Sequence, residues 1–135
     1  MDNPALQAFL AEVFPQVCDD FVVEDVAPMA LTVRLRVAEK HLRPGGTVSG
    51  PSMFGLAEVA IYLATLSMIG PEALAVTTGS SMDFMRKPAA HTDLLAEARL
   101  LKLGRVLAVG DVLIYSDGDR RPVARASMTY SIPPM

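Results

Sequence analysis

The longest apolar stretch of the chain runs from Pro51 to Gly70 and reads PSMFGLAEVAIYLATLSMIG, with Glu58 as its one charged residue. About 20 apolar residues can span a bilayer, but here a charge stands near the middle and no basic cluster flanks either end. A helix that is apolar on nearly all sides is equally typical of the core of a soluble domain. We therefore predict a buried central helix over 51–69 rather than a membrane span.

The pattern on either side of this helix predicts one further helix and six strands. Residues 4–16 repeat apolar positions at helical spacing. Residues 31–37 instead alternate apolar residues with threonine and arginine, as a strand with one buried face does. The same patterns, with Gly, Pro and Asp marking the turns, predict strands over 21–26, 31–37, 73–86, 94–103, 106–116 and 122–132.

These elements can be combined in few ways. Strands joined by short turns form an antiparallel sheet, and a sheet with one apolar face must cover that face. The central helix is the only large apolar partner that the sequence offers. We therefore predict one α+β domain over 1–135, in which a curved antiparallel sheet of five to six strands wraps around one long central helix.

Composition and charge narrow the class of protein. Twelve Lys and Arg residues stand against 15 Asp and Glu, a net charge of −3, whereas nucleic-acid binders usually carry a basic excess. Cys18 is the one cysteine, so no internal disulfide can form, and no basic leader follows Met1; we expect a cytoplasmic protein. No P-loop, GxGxxG, HExxH or GxSxG motif and no Cys/His metal spacing occurs, so we expect no metal or redox cofactor.

Two residues, one in the central helix and one at its start, are candidates for a catalytic role. An ionised carboxylate within an apolar helix, such as Glu58, is costly unless it is paired, hydrogen-bonded or open to a cleft. It is therefore either a structural residue with polar partners or a general base or nucleophile in a half-buried pocket. The Gly50 N–H, just before Pro51, lies where a helix start concentrates unpaired donors and partial positive charge, which can stabilise an oxyanion.

Several segments resemble one known family. The loop 41–51, HLRPGGTVSGP, with LAE at 56–58, is similar to the signature H-x-N-x-x-G-x-V-H-G-G followed by L-A-D/E of the hotdog-fold acyl-CoA thioesterases. The branch is that of the phenylacetate-degradation and 4-hydroxybenzoyl-CoA thioesterases. Residues 84–89, FMRKPA, and 103–105, LGR, resemble the F-x-R-P-A and G-R strand elements of the same family. The resemblance implies the hotdog fold over nearly the whole chain.

The resemblance also implies an activity, the hydrolysis of an acyl-CoA thioester to free acid and CoA. In the family the helix carboxylate, here Glu58, is the nucleophile or the general base for water, and the N–H matching Gly50 polarises the thioester carbonyl. The sequence departs from the family at Ser49, Pro51 and Arg43, where relatives have His, Gly, and Asn or Gln. The alternative is a hotdog module that binds an acyl-CoA or similar ligand without turnover.

The spacing of the two candidate catalytic groups predicts an oligomer. Gly50 and Glu58 stand eight positions apart on one helix, about 12 Å at 1.5 Å per residue. Both would have to lie about 3 Å from one reacting carbonyl. We therefore expect the active site to pair Glu58 of one subunit with Gly50 of another, in a homodimer or a dimer of dimers.

Further residues are candidates for substrate binding. Ser49 can donate a hydrogen bond, and Tyr62, one turn after Glu58, either lines the acyl site or packs in the core. Arg43 either holds Glu58 ionised, contacts a CoA phosphate or is simply solvated. The CoA phosphates need cations or donors, and the candidates for that role are Ser80, Arg86, Lys87 and Arg105.

Overall fold

The computed structural model describes residues 1–71 and 75–134, and in these residues two helices and six strands follow one another. Its elements are α1 (Asn3–Val13), β1 (Phe21–Ala27), β2 (Ala30–Leu35), α2 (Gly50–Ile69), β3 (Val76–Phe84), β4 (Leu94–Leu103), β5 (Leu107–Ser116) and β6 (Ala124–Ser131). Two short 3-10 turns, Cys18–Asp20 and Glu39–His41, precede β1 and the loop to α2.

The six strands form one antiparallel sheet in the order β1-β2-β4-β5-β6-β3. Helix α2 contacts all six strands, so the sheet curves around it. This is the α+β hotdog architecture that the sequence predicts, which confirms both the strand count and the position of the long helix.

The predicted bounds differ from the observed ones at several ends. The first helix ends at Val13, not at 16, because the Phe14 backbone leaves the helical region (φ −131°, ψ 59°) and Pro15 follows it. The predicted strand 31–37 ends at Leu35. Of the predicted strand 73–86, residues 73 and 74 lie outside the described residues, and the strand ends at Phe84.

The long apolar helix forms the core of the fold. By length and composition α2 could cross a membrane, yet 56% of its most apolar 18-residue window is buried inside the fold. Its close fit to the sheet depends on Gly110 in β5. A Cβ at that position would lie 2.6 Å from Ile61 Cδ1 and 2.8 Å from the Arg99 carbonyl oxygen. Glycine thus allows β5 to lie directly against α2.

Helix α1 covers the edge of the sheet formed by β1. The side-chain amide of Gln7 accepts from the Val23 N–H (2.9 Å) and donates to the Phe21 carbonyl (3.0 Å), while Asn3 donates to the Val23 carbonyl (2.9 Å). These two side chains, one helical turn apart, satisfy backbone groups that an edge strand otherwise exposes. The side chains of Leu6 and Leu10 are buried and pack the same helix against the core.

At the opposite edge of the sheet, β3 is far more exposed. Most of its residues are accessible to solvent, and its two terminal side chains, Val76 and Phe84, are 55% and 54% exposed. A long exposed edge with apolar side chains is the usual template for pairing with another chain.

Candidate active site

Glu58 is half-buried on the face of α2 that looks towards the start of β3. Its Oε2 accepts a hydrogen bond from the Thr77 hydroxyl at 3.2 Å, and the Tyr130 hydroxyl of β6 donates to its backbone carbonyl at 2.8 Å. Among the residues that the structure describes, one side chain donates to the carboxylate, which also lines an open cleft. This is the cleft position in which a helix carboxylate can remain available for chemistry.

The carboxylate opens into a small cleft with mostly apolar walls, which we call the Glu58 cleft. The Tyr62 ring stands at its centre, edge-on to Phe14 at 5.8 Å between centroids and tilted against Tyr130 at 6.2 Å. The full lining comprises Phe14, Glu58, Val59, Tyr62, Ala75, Val76, Thr77 and Tyr130. The cleft thus places one carboxylate beside mostly apolar side chains.

Tyr130 remains a neutral hydrogen-bond donor. Burial raises the pKa of its phenol well above the ordinary value. A hydrogen bond with Thr77 partly offsets this effect, and the nearby Glu58 charge adds a smaller upward contribution to the pKa. The neutral hydroxyl holds the helix backbone at Glu58 and thereby fixes where the carboxylate projects.

A second cleft, which we call the Gly50 cleft, lies at the start of α2. It brings together four of the residues singled out in the sequence: Arg43, Gly50, Arg86 and Lys87. Within residues 1–71 and 75–134, no carboxylate pairs with these three cations and no acceptor is found for the Gly50 N–H. The Gly50 cleft thus combines a backbone donor at a helix start with three cations that form no salt bridge with a described carboxylate. One of them, Arg86, donates to the Pro122 carbonyl at 3.0 Å.

The loop before α2 is held in place through His41 and Ser49. The buried His41 accepts the Ala38 N–H at Nδ1 (2.9 Å), faces Asp20 with Nε2 (3.6 Å) and accepts the Ser49 N–H at its carbonyl (2.8 Å). Ser49 caps the helix, because its hydroxyl accepts the Ser52 N–H at 3.3 Å. These bonds aim the next N–H, that of Gly50, out of the helix.

The other predicted binding residues are placed differently. Tyr62 is buried and lines the Glu58 cleft, so it packs in the core, and its predicted role in an acyl site stays a prediction. Ser80 is exposed in the middle of β3, and Arg105 is exposed in the turn between β4 and β5. Neither of these two lines the Glu58 cleft or the Gly50 cleft.

Two residues of the site were not predicted from the sequence. Thr77 and Tyr130 come from predicted strands, but nothing in the pattern shows which strand residue faces the helix carboxylate. A bulge between Thr77 and Gly79 also shifts the register of β3 against β6. In the described part of the chain, no group of three His, Cys, Asp or Glu residues could hold a metal ion.

Comparison with known proteins identifies the family. The family model of the thioesterase superfamily matches residues 45–123. This range includes α2, strands β3 to β5, and Arg86 and Lys87 of the Gly50 cleft, but not Arg43. The chain belongs to the thioesterase superfamily.

Individual relatives agree with this membership. The crystal structure of a candidate thioesterase from Silicibacter sp. TM1040 is 60% identical, covers 99% of this chain and 93% of that one, and superposes with a TM-score of 0.93. A candidate esterase of Pseudomonas aeruginosa is 32% identical over 113 residues, 84% of this chain and 83% of that protein. A hypothetical thioesterase of Streptococcus pneumoniae, solved with coenzyme A, shares the fold at 21% identity and a TM-score of 0.81 over 97% of this chain and 98% of that one.

Proposed function

We propose that the protein hydrolyses acyl-CoA thioesters to the free acid and CoA, without a metal or redox cofactor. The observation that carries this proposal is the half-buried Glu58 carboxylate, which is open to an apolar cleft and held by Thr77 in a chain of the thioesterase superfamily. The apolar walls suit an apolar acyl group, and the carboxylate in the same cleft can approach the carbon of a thioester bound there.

The chemistry needs one group to act on the carbonyl carbon and one to stabilise the carbonyl oxygen. Glu58 either attacks the carbon itself or takes a proton from the water that attacks it. The Gly50 N–H donates to the oxygen as negative charge develops there. If Glu58 attacks the carbon, a mixed anhydride forms as the C–S bond breaks and CoA leaves as the thiolate, and water then hydrolyses the anhydride to the free acid and restores the carboxylate. If Glu58 acts as the base, the water oxygen bonds to the carbon directly, the C–S bond breaks, and CoA leaves as the thiol after taking up the proton.

The separation of the two clefts supports a site shared between two subunits. Glu58 lies beside the first residues of β3 (Thr77), whereas Gly50 lies beside the last, since Phe84 Cζ comes within 3.4 Å of a Cβ built on Gly50. When two β3 edges pair antiparallel about Ser80, the start of one β3 meets the end of the other. That pairing brings Glu58 of one protomer towards Gly50 of its partner, and we propose a homodimer on this basis.

The cations of the Gly50 cleft suit the phosphates of CoA. Arg43, Arg86 and Lys87 form a local positive patch on a chain of net charge −3, and such side chains bind phosphate oxygens by charge-assisted hydrogen bonds. The Streptococcus pneumoniae protein, which shares this fold, was crystallised with coenzyme A. In the proposed dimer the CoA lies along the partner's Gly50 cleft, and the acyl group enters the Glu58 cleft.

A second candidate function is the binding of an acyl-CoA without turnover. Ser49 favours it, because its hydroxyl is engaged in capping α2 and a serine cannot titrate as the family histidine does.

Thiol release from a panel of acyl-CoAs separates the two functions. We expect turnover by the native protein, and a loss of at least about a hundredfold in kcat for Glu58→Gln and Glu58→Ala, with unchanged thermal unfolding. Glu12→Gln, an exposed carboxylate on α1, is the matched control and should keep full activity. Saturable acyl-CoA binding without thiol release would instead support the binding module. Turnover that survives the loss of Glu58 would show that the site is wrong.

A further inference from the structure

Phe14 stands at the end of the Glu58 cleft, on a segment that the family match does not include. The match begins at residue 45, whereas Phe14 follows the last residue of α1. Its ring is 38% exposed and lies edge-on to Tyr62, with an angle of 77° between the two ring planes. The wall that it adds is therefore a feature of this chain's N-terminal helix, not of the part of the chain that the superfamily shares.

The position of Phe14 is fixed by the docking of α1. Two side-chain amides of this helix bind the backbone of β1, and two of its leucines are buried in the core. At the end of the helix, the Phe14 N–H donates to the Leu10 carbonyl at 2.9 Å, and the Phe14 carbonyl accepts the Val17 N–H at 3.2 Å. The ring is thus held by backbone bonds on both sides rather than carried on a free tail.

The direction of the cleft follows from the helix. Tyr62 lies one turn beyond Glu58, about 6 Å along the axis at 1.5 Å per residue, and on the side away from Gly50. Phe14 packs against that tyrosine. An acyl group whose carbonyl lies at Glu58 and whose CoA lies in the partner's Gly50 cleft must extend towards Tyr62 and meet the Phe14 ring.

We propose that Phe14 closes the distal end of the acyl pocket and sets the upper limit on acyl length, so that the site takes short and medium acyl groups. This inference rests on the proposed function, because it assigns the Glu58 cleft to the acyl group. Glu58 and Thr77 supply the polar groups of the cleft, whereas Phe14 packs against Tyr62 one helical turn beyond Glu58 and gives that end an apolar wall. The chain therefore limits its substrate with the residue that ends α1, and acts on it with residues of α2 and β3.

The test compares Phe14→Ala and Phe14→Leu with the native protein over butyryl-, hexanoyl-, octanoyl-, decanoyl- and lauroyl-CoA. We expect Phe14→Ala to move the optimum of kcat/KM to longer chains, by about fourfold for each added methylene that the opened pocket accepts. Butyryl-CoA, which stops short of the ring, should change by less than about twofold. Phe14→Leu should fall between the two. Leu101→Ala, which shortens a side chain 56% exposed on β4, is the matched control and should leave the profile unchanged.

Two further readouts separate this inference from the proposed function. Inhibition by free CoA should be the same in Phe14→Ala and the native protein, because CoA binds in the other cleft. S-alkyl-CoA thioethers of the same lengths cannot be hydrolysed, so their dissociation constants report the length that the pocket accepts even if no thioester is turned over.

An unchanged length profile in both the thioester and the thioether series would overturn the role of Phe14. A uniform loss at all lengths, together with a lower Tm, would overturn it as well, since that is the effect of a structural residue. Absence of turnover with a shifted thioether profile would overturn hydrolysis alone.

Discussion

Glu58 is the single charge of α2, and its surroundings determine whether it can act. A carboxylate in an apolar helix is stabilised by each hydrogen bond it accepts, and here the side chain of Thr77 supplies one from the neighbouring strand. That bond holds Oε2 of a carboxylate that lines the Glu58 cleft. Thr77 is therefore a positioning residue for the proposed reaction, since it acts through the carboxylate.

Removing the Thr77 hydroxyl should lower the rate without unfolding the protein. Thr77→Val keeps the shape of the side chain but loses the donor to Glu58, so we expect kcat to fall by about tenfold, the value of one hydrogen bond to a charged group at partial exposure. Thr77→Ser should restore most of it.

The matched control is Thr78→Val, one residue further along β3. The Thr78 hydroxyl is exposed and lies 3.4 Å from the Thr129 carbonyl, away from the carboxylate. Equal losses of kcat in the two valine variants, or a loss in Thr77→Ser as large as in Thr77→Val, would refute the positioning role.

Tyr130 provides a test by pH. Burial raises its phenol pKa above the ordinary value of about 10. A group whose folded pKa is raised contributes stability that is fully present below its unfolded pKa and is lost as the pH rises towards its folded pKa. Tyr130→Phe should thus be about 1 kcal/mol less stable than the native protein at neutral pH, because it loses the bond to the Glu58 carbonyl. Above about pH 10 the difference should shrink.

Urea unfolding of the two proteins as a function of pH measures this difference. The other tyrosines and the lysines titrate in both, so their effects cancel in the comparison. A difference in unfolding free energy that stays constant from neutral to alkaline pH would mean that the Tyr130 phenol is not buried as described.

The residues of the site differ in how well the sequence predicts them. Glu58 is visible because it is the only charge in an apolar run, and Gly50 because a helix begins there. Thr77 and Tyr130 are not visible, since their proximity to Glu58 depends on strand register, on a bulge and on how the sheet curves. The sequence pattern therefore identifies the candidate carboxylate, whereas the residues that hydrogen-bond to Glu58 are brought to it by the tertiary structure.

At the scale of elements, the contact between α2 and β5 determines how tightly the sheet wraps the helix. Gly110 allows that contact, because any Cβ there meets Ile61 and the backbone of β4. The sequence predicts both elements from their patterns but gives no sign of this requirement. A glycine in a strand usually indicates a bulge or a close approach, and here it is the close approach.

Two glycine substitutions should have opposite effects on stability. Gly110→Ala forces atoms to within 2.6 and 2.8 Å of the new Cβ, so we expect it to lower the free energy of unfolding by about 1–3 kcal/mol. Gly55→Ala, within α2, has nothing within 4 Å of the new Cβ, and we expect it to raise stability by up to about 1 kcal/mol through helix propensity. Chemical denaturation measures both. A neutral Gly110→Ala would mean that β5 can move away from the helix at little cost.

At the scale of the whole molecule, the separation of the two clefts is the main consequence of the fold. One chain places its carboxylate near the start of β3 and its helix N–H and cations near the end. The sequence already suggests this through the spacing of Gly50 and Glu58 on one helix. The exposed edge of β3, which the strand pattern did not reveal, supplies a surface through which two copies can combine the halves.

Mixing two inactive variants tests whether each active site draws on both subunits. Glu58→Gln removes the carboxylate, and the double variant Arg86→Glu with Lys87→Glu reverses two charges of the Gly50 cleft; both changes are at positions accessible to solvent. If the site is shared, each mixed dimer has one site with both defects and one with neither. Co-expressed chains with different tags should therefore recover about a quarter of native thiol release, since about half of random dimers are mixed and one site in each of these works. If both halves of a site came from one chain, mixed dimers, counted by native mass spectrometry, would release no more thiol than the separate variants.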